Sequence, residues 1–571
     1  MTLNRRLTIV AQDPGLRVGS GKNKRILTAE VEVPHEVLAA GPRGYRVHVI
    51  DYDSTSDTIY APEDAAAYGN AQDPFSKPTN ATILGDPKFH AQNVYAIVMR
   101  TLARFERALG RRIEWSFGGH QLYVAPHAFA DANAFYSDRD RALLFGYFPS
   151  PNSKDMVFTC LSHDVIVHET THALLDGLRE RYTDPSSPDQ AAFHEGFADV
   201  VALLSAFAIP EVVRAALESK KGLPRSVRRS ALTPAALRKS VLLGLADQLG
   251  SELSGVRGSA LRRSVQLPAG PDLLSDPLFR QPHRRGEIFV AAMMNAFIEV
   301  LGKGLATLGD VDGKGPLDRE RVIKECADTA DRLLNICIRA IDYCPPTDLR
   351  FGDFLSALIT SDQEIVPDDS RYGFRSAIRD SFAVFGIPPT SAQIESGAWE
   401  PPVKPDQVLD YSGIHFDSLR HNHDEAFRFI WQNRGLLGIF EDAYTKVLSV
   451  RPCSRVGPDG FILHETVAEY YQVLTLEARE LKRLKITKPK EMPSQFEIRL
   501  YGGGSLIFDE YGRLKYHVRN RIDNIERQQK RLGHLWEAGF FEKGSAAQRF
   551  SSLHLSRMLR WPLGYVDTDE E

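Results

Sequence analysis

Two histidines four positions apart are the residues of this chain best suited to catalytic chemistry. His168 and His172 enclose Glu169 in the sequence HETTH. Residues four apart on a helix project from one face, so both imidazoles can share one cation, and the glutamate lies at an angle that reaches water bound to that cation. The spacing therefore favours a metal site. Two surface histidines on an amphipathic helix are the alternative.

Two carboxylates on the next predicted helix strengthen the metal interpretation. Glu195 and Asp199 lie one helical turn apart in FHEGFADVVALL, among residues apolar enough to be buried. A catalytic zinc ion takes three protein ligands and keeps one position open, so we predict Glu195 as the third ligand beside His168 and His172. Asp199 is predicted to accept the second N–H of a ligand histidine. An ordinary solvated helix face is the alternative.

HETTHALLDG followed by HEGFAD resembles the gluzincin metallopeptidases, and specifically their thermolysin-like group, over roughly residues 75–387. The resemblance implies an α+β fold with a two-lobed core. The N-terminal lobe would hold a β-sheet and the active-site helix, and the C-terminal lobe would be mostly helical. It also implies a zinc endopeptidase that hydrolyses peptide bonds with Glu169 as general base.

The same resemblance implies residues that bind the substrate. ANAFY resembles the family strand that holds an extended peptide, so Asn133 and Ala134 would contact the substrate backbone. GSALRRS resembles a short arginine-containing motif, in which Arg262 would bind a substrate carbonyl, with Arg263 and Arg257 as close alternatives.

Two further residues would stabilise the oxyanion of the tetrahedral intermediate. Tyr182 follows the HETTH segment at the position of a family tyrosine, and His283 precedes a long apolar helix as a family histidine does. A half-buried aromatic residue and a loop histidine are the respective alternatives. The chain lacks a convincing calcium-binding loop of the D-x-D-x-D-G type, so we predict one catalytic zinc ion and no calcium.

Pattern and composition shifts suggest five regions that would position these residues. Alternating strands, helical periodicity and Pro-rich stretches mark their limits. The predicted regions are a β-rich segment (1–60), the N-terminal lobe with HETTH (75–205), the helical C-terminal lobe (206–387), a linker (388–405) and an α+β accessory domain (406–571). Helices are predicted at 92–110, 286–302 and 465–484, and strands at 26–33 and 45–53, with three short strands between 496 and 518.

Charge and cysteine content restrict the compartment and the partners. Lys+Arg is 70 and Asp+Glu is 74, which gives no electrostatic reason to expect nucleic acid. Five cysteines without a C-x-x-C pair indicate a reducing compartment, and Cys160 is interpreted as a core residue. The apolar runs are too short for a signal peptide or a membrane span, so a cytoplasmic protein that does not enter a membrane is predicted.

A broad protease in the cytoplasm would digest its host. We therefore expect a protein or peptide substrate, one specific intracellular protein being the narrowest case, and either narrow specificity or a requirement for activation. Two alternatives remain at this stage: a non-catalytic interaction protein with a relict metal site, and an aminopeptidase of the same clan.

Overall fold

A computed structural model describes most of the chain. The described residues are 4–19, 24–62, 64, 68, 73–150, 155–184, 186–217, 226–238, 259–309, 315–369, 373–391, 396–404 and 407–541, and the side chains of 259–262 fall outside the description. The architecture is mixed α+β, with an N-terminal sheet, a layer of long helices and a C-terminal antiparallel sheet.

The N-terminal sheet is built around strand Leu122–Phe129. This strand pairs in parallel with Val47–Val49 on one side and with Ala142–Pro149 on the other. Ala142–Pro149 also pairs antiparallel with Ala134–Ser137 and with Met156–Phe158. The Ala134–Ser137 strand has this single partner strand among the described residues. We call it the edge strand.

Three short antiparallel pairs complete the first part of the chain. The strand predicted at 26–33 is observed as Thr28–Pro34, while Ile26 belongs to a separate short strand. The strand predicted at 45–53 is broken at Ile50 and Asp51, with Val47–Val49 in the main sheet and Tyr52–Asp53 in a separate pair. The pairs are Asn4–Val10 with Thr28–Pro34, Arg17–Val18 with Arg25–Ile26, and Tyr52–Asp53 with Thr58–Ile59.

Long helices form the layer that carries the predicted chemistry, and four are named here. They are the support helix (Pro87–Leu109), the motif helix (His163–Leu178), the carboxylate helix (Pro188–Phe207) and the long apolar helix (Pro282–Thr307). The helices predicted at 92–110 and 286–302 are thus confirmed, and the first ends at Gly110 in the left-handed conformation.

The remaining helices are shorter or lie outside the site. The other α-helices are Asn80–Gly85, Pro210–Leu217, Pro234–Leu237, Ser259–Gln266, Arg319–Ala340, Phe351–Ile365, Phe374–Ala383, Phe416–Leu419, His423–Gln432, Arg434–Leu437 and Ile525–Glu537. The 3₁₀ turns are Thr159–Leu161, Glu180–Thr183, Arg229–Ala231, Leu273–Ser275, Pro277–Phe279, Ile341–Tyr343 and Ala478–Leu484. A two-residue pair, Ser226–Val227 with Leu317–Asp318, links two of the loops.

Two glycines let the carboxylate helix and the long apolar helix approach closely. A Cβ atom on Gly196 would lie 3.1 Å from the Gly286 carbonyl oxygen and 3.0 Å from the Phe289 ring. A Cβ atom on Gly286 would lie 3.0 Å from the Ala192 carbonyl oxygen. Contacts this short oppose any side chain at either position. The crossing point therefore brings the start of the long apolar helix, with His283, beside Glu195.

The long apolar helix is long and apolar enough to cross a membrane by length and composition alone. The pair Pro188–Phe207 and Pro210–Leu217 passes the same test only as a bent unit. However, 78% of the most apolar 18-residue stretch of Pro282–Thr307 is buried within the fold. It packs against the carboxylate helix as a core helix does.

The C-terminal sheet corrects one prediction. The segment 465–484 is predicted as a helix, but strand Ile462–Glu477 occupies most of it and a 3₁₀ turn ends it. This strand pairs antiparallel with Tyr444–Val456 on one side and Glu497–Phe508 on the other. Residues four positions apart lie on one face in a strand as well as in a helix, so this spacing does not distinguish the two. The Val, Tyr and Thr content of the segment favours the strand.

The last strand of this sheet is Leu514–Asn520, which pairs antiparallel with Glu497–Phe508. The segment 496–518 therefore holds two strands where three are predicted.

The stretch predicted as a linker contacts the helical layer: the Trp399 indole N–H donates to the Tyr343 carbonyl over 2.8 Å, and the Trp399 backbone N–H donates to Thr360 Oγ1 over 2.8 Å.

Buried ion pairs join the C-terminal sheet to the helical layer. Asp342 accepts bidentate hydrogen bonds from Arg111 at 2.5 and 2.7 Å, and it also pairs with Arg455 of the sheet at 2.5 Å. Arg179, which follows the motif helix, pairs with Glu469 of the sheet at 2.6 Å. Burial opposes ionisation of Asp342, but Arg111 and then Arg455 outweigh it and hold the pKa of this carboxyl well below its usual range.

Replacing Asp342 with Asn should destabilise the fold by about 3 kcal/mol at neutral pH, because buried Arg111 loses its counter-charge and buried Arg455 loses one of its two carboxylate partners, Glu465 being the other. A carboxyl with a lowered pKa stabilises the folded state above its unfolded pKa of about 4, and this stabilisation is lost as the pH falls below it. The difference in free energy of unfolding, measured with urea, should therefore shrink below about pH 4. Glu526→Gln, in an exposed pair with Lys530, should change little. Equal effects of the two changes would contradict the role given to Asp342.

Candidate metal centre

The motif helix brings His168 and His172 together inside the protein. Both rings are almost fully buried, with centroids 4.5 Å apart and planes inclined by 81°. Their Nε2 atoms are 2.8 Å apart. The helix begins after Ser162, and its buried Thr170 and Thr171 hydroxyls donate to carbonyls one turn earlier. Both nitrogens therefore converge on one point from a buried helix.

The carboxylate helix adds Glu195 to this point. The helix begins with Ser187, whose side chain accepts from the Gln190 backbone N–H, and with Pro188 at its first position. Glu195 Oε1 lies 3.5 Å from His172 Nε2, and its Oε2 lies 3.7 Å from His168 Nε2. One ligand atom from each of the three residues lies within 4.8 Å of the others. The group is a candidate metal site.

The outer nitrogens of both histidines are occupied. His168 Nδ1 lies 2.7 Å from Asp199 Oδ1, as predicted from the spacing on the carboxylate helix. His172 Nδ1 lies 2.8 Å from His194 Nδ1, and these two rings are stacked. His194 was not among the predicted site residues, although it directly precedes Glu195 in the motif that supplied the third ligand.

These partners fix where the protons lie. The Asp199 carboxylate accepts a hydrogen bond, so His168 carries its proton on Nδ1 and presents a lone pair at Nε2. His172 does the same when it donates to His194. Two imidazole lone pairs and a carboxylate then face one small volume, which is the donor set of a zinc-class divalent ion. The residues present therefore fit a metal ion.

Glu169 contacts the edge strand of the N-terminal sheet. The Tyr136 backbone N–H donates to Glu169 Oε2 over 3.1 Å. The Tyr136 hydroxyl donates to Asp176, also on the motif helix, over 2.9 Å. Burial and then the Asp176 charge raise the pKa of Tyr136, so this hydroxyl stays protonated and continues to donate. The edge strand is thus fixed to the motif helix at two points.

Asn133 and Ala134 lie where the edge strand begins. Asn133 Oδ1 accepts from the Ala134 backbone N–H over 2.9 Å, and the Asn133 carbonyl accepts from the Gly146 N–H over 2.9 Å. Both residues therefore stand two or three positions from Tyr136, the contact of Glu169. Their predicted contacts with a substrate backbone stay a prediction.

His283 also reaches the site, from the first turn of the long apolar helix. Its Nδ1 lies 3.0 Å from Glu195 Oε2, and its side chain is 43% exposed. In this arrangement the ring contacts a carboxylate of the candidate metal site. Its predicted contact with an oxyanion stays a prediction.

Tyr182 stands apart from this group. The Tyr182 hydroxyl donates to the Pro345 carbonyl over 2.9 Å, and the ring is buried against Phe193. The oxyanion role predicted for Tyr182 finds no support in this arrangement, because the hydroxyl already has a buried acceptor. The Arg262 side chain lies outside the described residues, whereas its alternative Arg263 pairs with Glu287 at 2.9 Å.

Comparisons with known proteins find likenesses among solved structures. No family model matches the chain, and no curated protein matches it. Among solved structures, the chain is similar to the precursor of protealysin, a metalloproteinase from Serratia proteamaculans. The identity is 15%, the TM-score is 0.33, and the match covers 62% of this chain and 90% of that chain. A likeness this weak establishes neither a shared fold nor a shared activity.

Asp199→Asn should weaken zinc binding by about 10–100-fold, because the amide no longer accepts strongly from the His168 N–H. Competition with a chromophoric chelator measures the affinity. Asp328→Asn, an exposed carboxylate on helix Arg319–Ala340, serves as the control and should leave the affinity unchanged. Equal zinc affinity in the Asp199 variant and the wild type would contradict the orienting role.

Proposed function

We propose that this protein is a zinc-dependent endopeptidase. The observation that carries the proposal is the convergence of His168, His172 and Glu195 within 4.8 Å of one another. The next residue along the motif helix from His168, Glu169, is a carboxylate suited to general-base chemistry. A metal ion with three protein ligands and a nearby base is the arrangement that metal-assisted hydrolysis requires.

The proposal includes the two-lobed core of the gluzincin group. In support, the residues of the site come from two parts of the chain. The motif helix and the edge strand belong to the part with the N-terminal sheet, and His283 belongs to the later helical part. The Gly196–Gly286 crossing brings these two parts together.

The chain's own residues would divide the chemistry as follows. A zinc ion held by His168, His172 and Glu195 would supply Lewis-acid chemistry, polarising a scissile carbonyl and acidifying water. Glu169 takes a proton on its carboxylate and later gives it to the leaving amine. Asp199 and His194 keep the ligand histidines in the tautomer that binds metal, and His283 bonds to Glu195.

The edge strand supports a peptide as substrate. An extended peptide can add to an unpaired strand edge through backbone hydrogen bonds. The strand that holds Ala134 and Phe135 is paired on one side only among the described residues, and it contacts Glu169 through Tyr136. A peptide added along it would pass the general base. Asn133 and Ala134 are the proposed first contacts.

We further propose a cytoplasmic location, a protein substrate and narrow specificity. Five buried free cysteines support a reducing compartment. We propose no calcium requirement, no nucleic-acid partner and no membrane association. The C-terminal sheet, joined to the layer that carries the motif helix, offers a surface that would select a protein substrate.

Glu169→Gln should abolish peptide cleavage, with a loss of about 10²–10⁴-fold in rate, because the amide cannot take a proton. Zinc affinity should stay at the wild-type level, since Glu169 is not a ligand. Cleavage of a quenched peptide library and zinc titration measure the two properties. Equal cleavage by both forms would reject the assignment of the base, and no cleavage by a zinc-loaded wild type would favour a relict site.

Narrow specificity predicts few new termini when the wild-type protein is added to a lysate of its host, with the Glu169→Gln protein as control. Terminal-amine labelling and mass spectrometry identify the cut sites. Internal cuts in a small number of proteins are expected. Cuts spread over most abundant proteins would exclude narrow specificity, and removal of N-terminal residues alone would favour an aminopeptidase.

A further inference from the structure

A second buried group of metal-binding side chains lies beneath the N-terminal sheet. It consists of His90 from the support helix, His127 from strand Leu122–Phe129 and Cys160 from the 3₁₀ turn before the motif helix. All three are almost fully buried, and one ligand atom from each lies within 4.8 Å of the others. None of them belongs to the centre described above.

Hydrogen bonds fix the protons of the two rings. His90 Nε2 lies 2.8 Å from the Ile83 carbonyl oxygen, which can only accept, so Nε2 carries a proton. His127 Nδ1 lies 2.8 and 2.9 Å from the two oxygens of Asp51, so Nδ1 carries a proton. In the neutral rings, the lone pairs are therefore on His90 Nδ1 and His127 Nε2.

These two nitrogens face each other at 2.7 Å. Two lone pairs repel at this distance unless a proton or a metal ion lies between them. An extra proton would place an imidazolium in an aromatic enclosure, since Tyr60 and Phe158 both pack on the His127 ring with centroids 5.3 Å apart. Burying a charge in such surroundings is unfavourable unless it is paired. If an extra proton lay between the two rings, the Asp51 carboxylate would be the ion-pair partner of the charged His127 ring.

The arrangement repeats the pattern of the first centre. There too, two imidazole nitrogens face each other, at 2.8 Å, while the outer nitrogen of each ring bonds to a protein acceptor. In a tetrahedral site with metal–nitrogen bonds of about 2.0–2.1 Å, the two nitrogens would stand roughly 3.3 Å apart. In both pairs, the two facing nitrogens would therefore have to move slightly apart to bind an ion.

Cys160 makes the second group chemically different from the first. A thiol with two imidazoles is a soft donor set, which selects zinc-class transition metals over Mg²⁺ or Ca²⁺. Binding would release the thiol proton to solvent as the sulfur becomes a thiolate ligand. A cavity of about 290 Å³, whose lining includes Leu84, Phe158 and Leu161, lies against the turn that holds Cys160.

We propose that His90, His127 and Cys160 bind a second, structural metal ion of the zinc class. The ion would tie the support helix and the N-terminal sheet to Cys160, which lies three residues before His163, where the motif helix starts. Asp51 and the Ile83 carbonyl would orient the two ligand rings. This ion would fix the motif helix against the sheet. Its structural role would be the same whether or not the first centre is catalytically active.

Cobalt(II) provides a specific test, because only a thiolate ligand gives a sulfur-to-cobalt charge-transfer band in the near ultraviolet, and the first centre has no thiolate. The full-length metal-free protein is titrated with Co²⁺ without oxygen and with its thiols reduced. The final intensity of the band should correspond to one thiolate-bound ion per chain, while the first centre takes up Co²⁺ without adding to it. Cys160→Ser should remove it, and His127→Gln should weaken Co²⁺ binding at this band by at least tenfold.

Two control variants separate this site from others. Cys337→Ser, which alters another buried cysteine, and Glu195→Gln, which alters the first centre, should both keep the band. A wild-type protein that binds Co²⁺ without any charge-transfer band would overturn the proposal, whether or not the variants fold. So would a band that survives in a folded Cys160→Ser protein. Loss of peptidase activity in Glu169→Gln leaves the band in place, so the two proposals fail separately.

Discussion

The requirement that buried polar atoms find partners shapes the candidate metal centre. His168, His172 and Glu195 lie among apolar side chains, where an unpaired imidazole or carboxylate would be strongly destabilising. Asp199 and His194 occupy the outer nitrogens of the two rings. With those nitrogens occupied, the lone pairs of both rings face inward. The hydrogen bonds that permit burial therefore also prepare the rings to bind a cation.

Close backbone packing sets the geometry around this group. The carboxylate helix and the long apolar helix cross at Gly196 and Gly286, where a Cβ atom on either glycine would meet the backbone of the other helix. The edge strand is fixed from the opposite side, through the bond from the Tyr136 N–H to Glu169. A helix crossing and a strand edge thus define the space around the candidate base. Neither contact depends on the metal ion itself.

The parts of the molecule that could be predicted are those in which the relevant residues lie close together in the sequence. HETTH and the Glu195–Asp199 pair could be predicted from helical spacing alone, because each pair shares one helix face. His90, His127 and Cys160 come from a helix, a strand and a turn that are far apart in sequence, so no spacing rule joins them, and Cys160 alone looks like a core residue. Tyr182 was assigned by resemblance, but its environment is set by the later residue Pro345.

The strand Ile462–Glu477 was predicted as a helix for a physical reason. Glu465 and Glu469 are four residues apart, which suits one face of either element, and pairing with the two neighbouring strands adds to the strand preference of the Val, Tyr and Thr residues. Both glutamates face inward to meet buried positive charges, Arg455 and Arg179 respectively. A tertiary contact of this kind cannot be read from the strand's own residues.

The buried ion pairs of the C-terminal sheet have a consequence for how the chain can be divided. Arg179 lies at the end of the motif helix, and its counter-charge, Glu469, is supplied by a strand nearly three hundred residues later. A fragment that stops after the helical layer would expose Arg179, Arg111 and Asp342 without Glu469 and Arg455. Such a fragment would lose solubility and order next to the motif helix. The C-terminal sheet is therefore an integral part of the folding unit and not a detachable appendage.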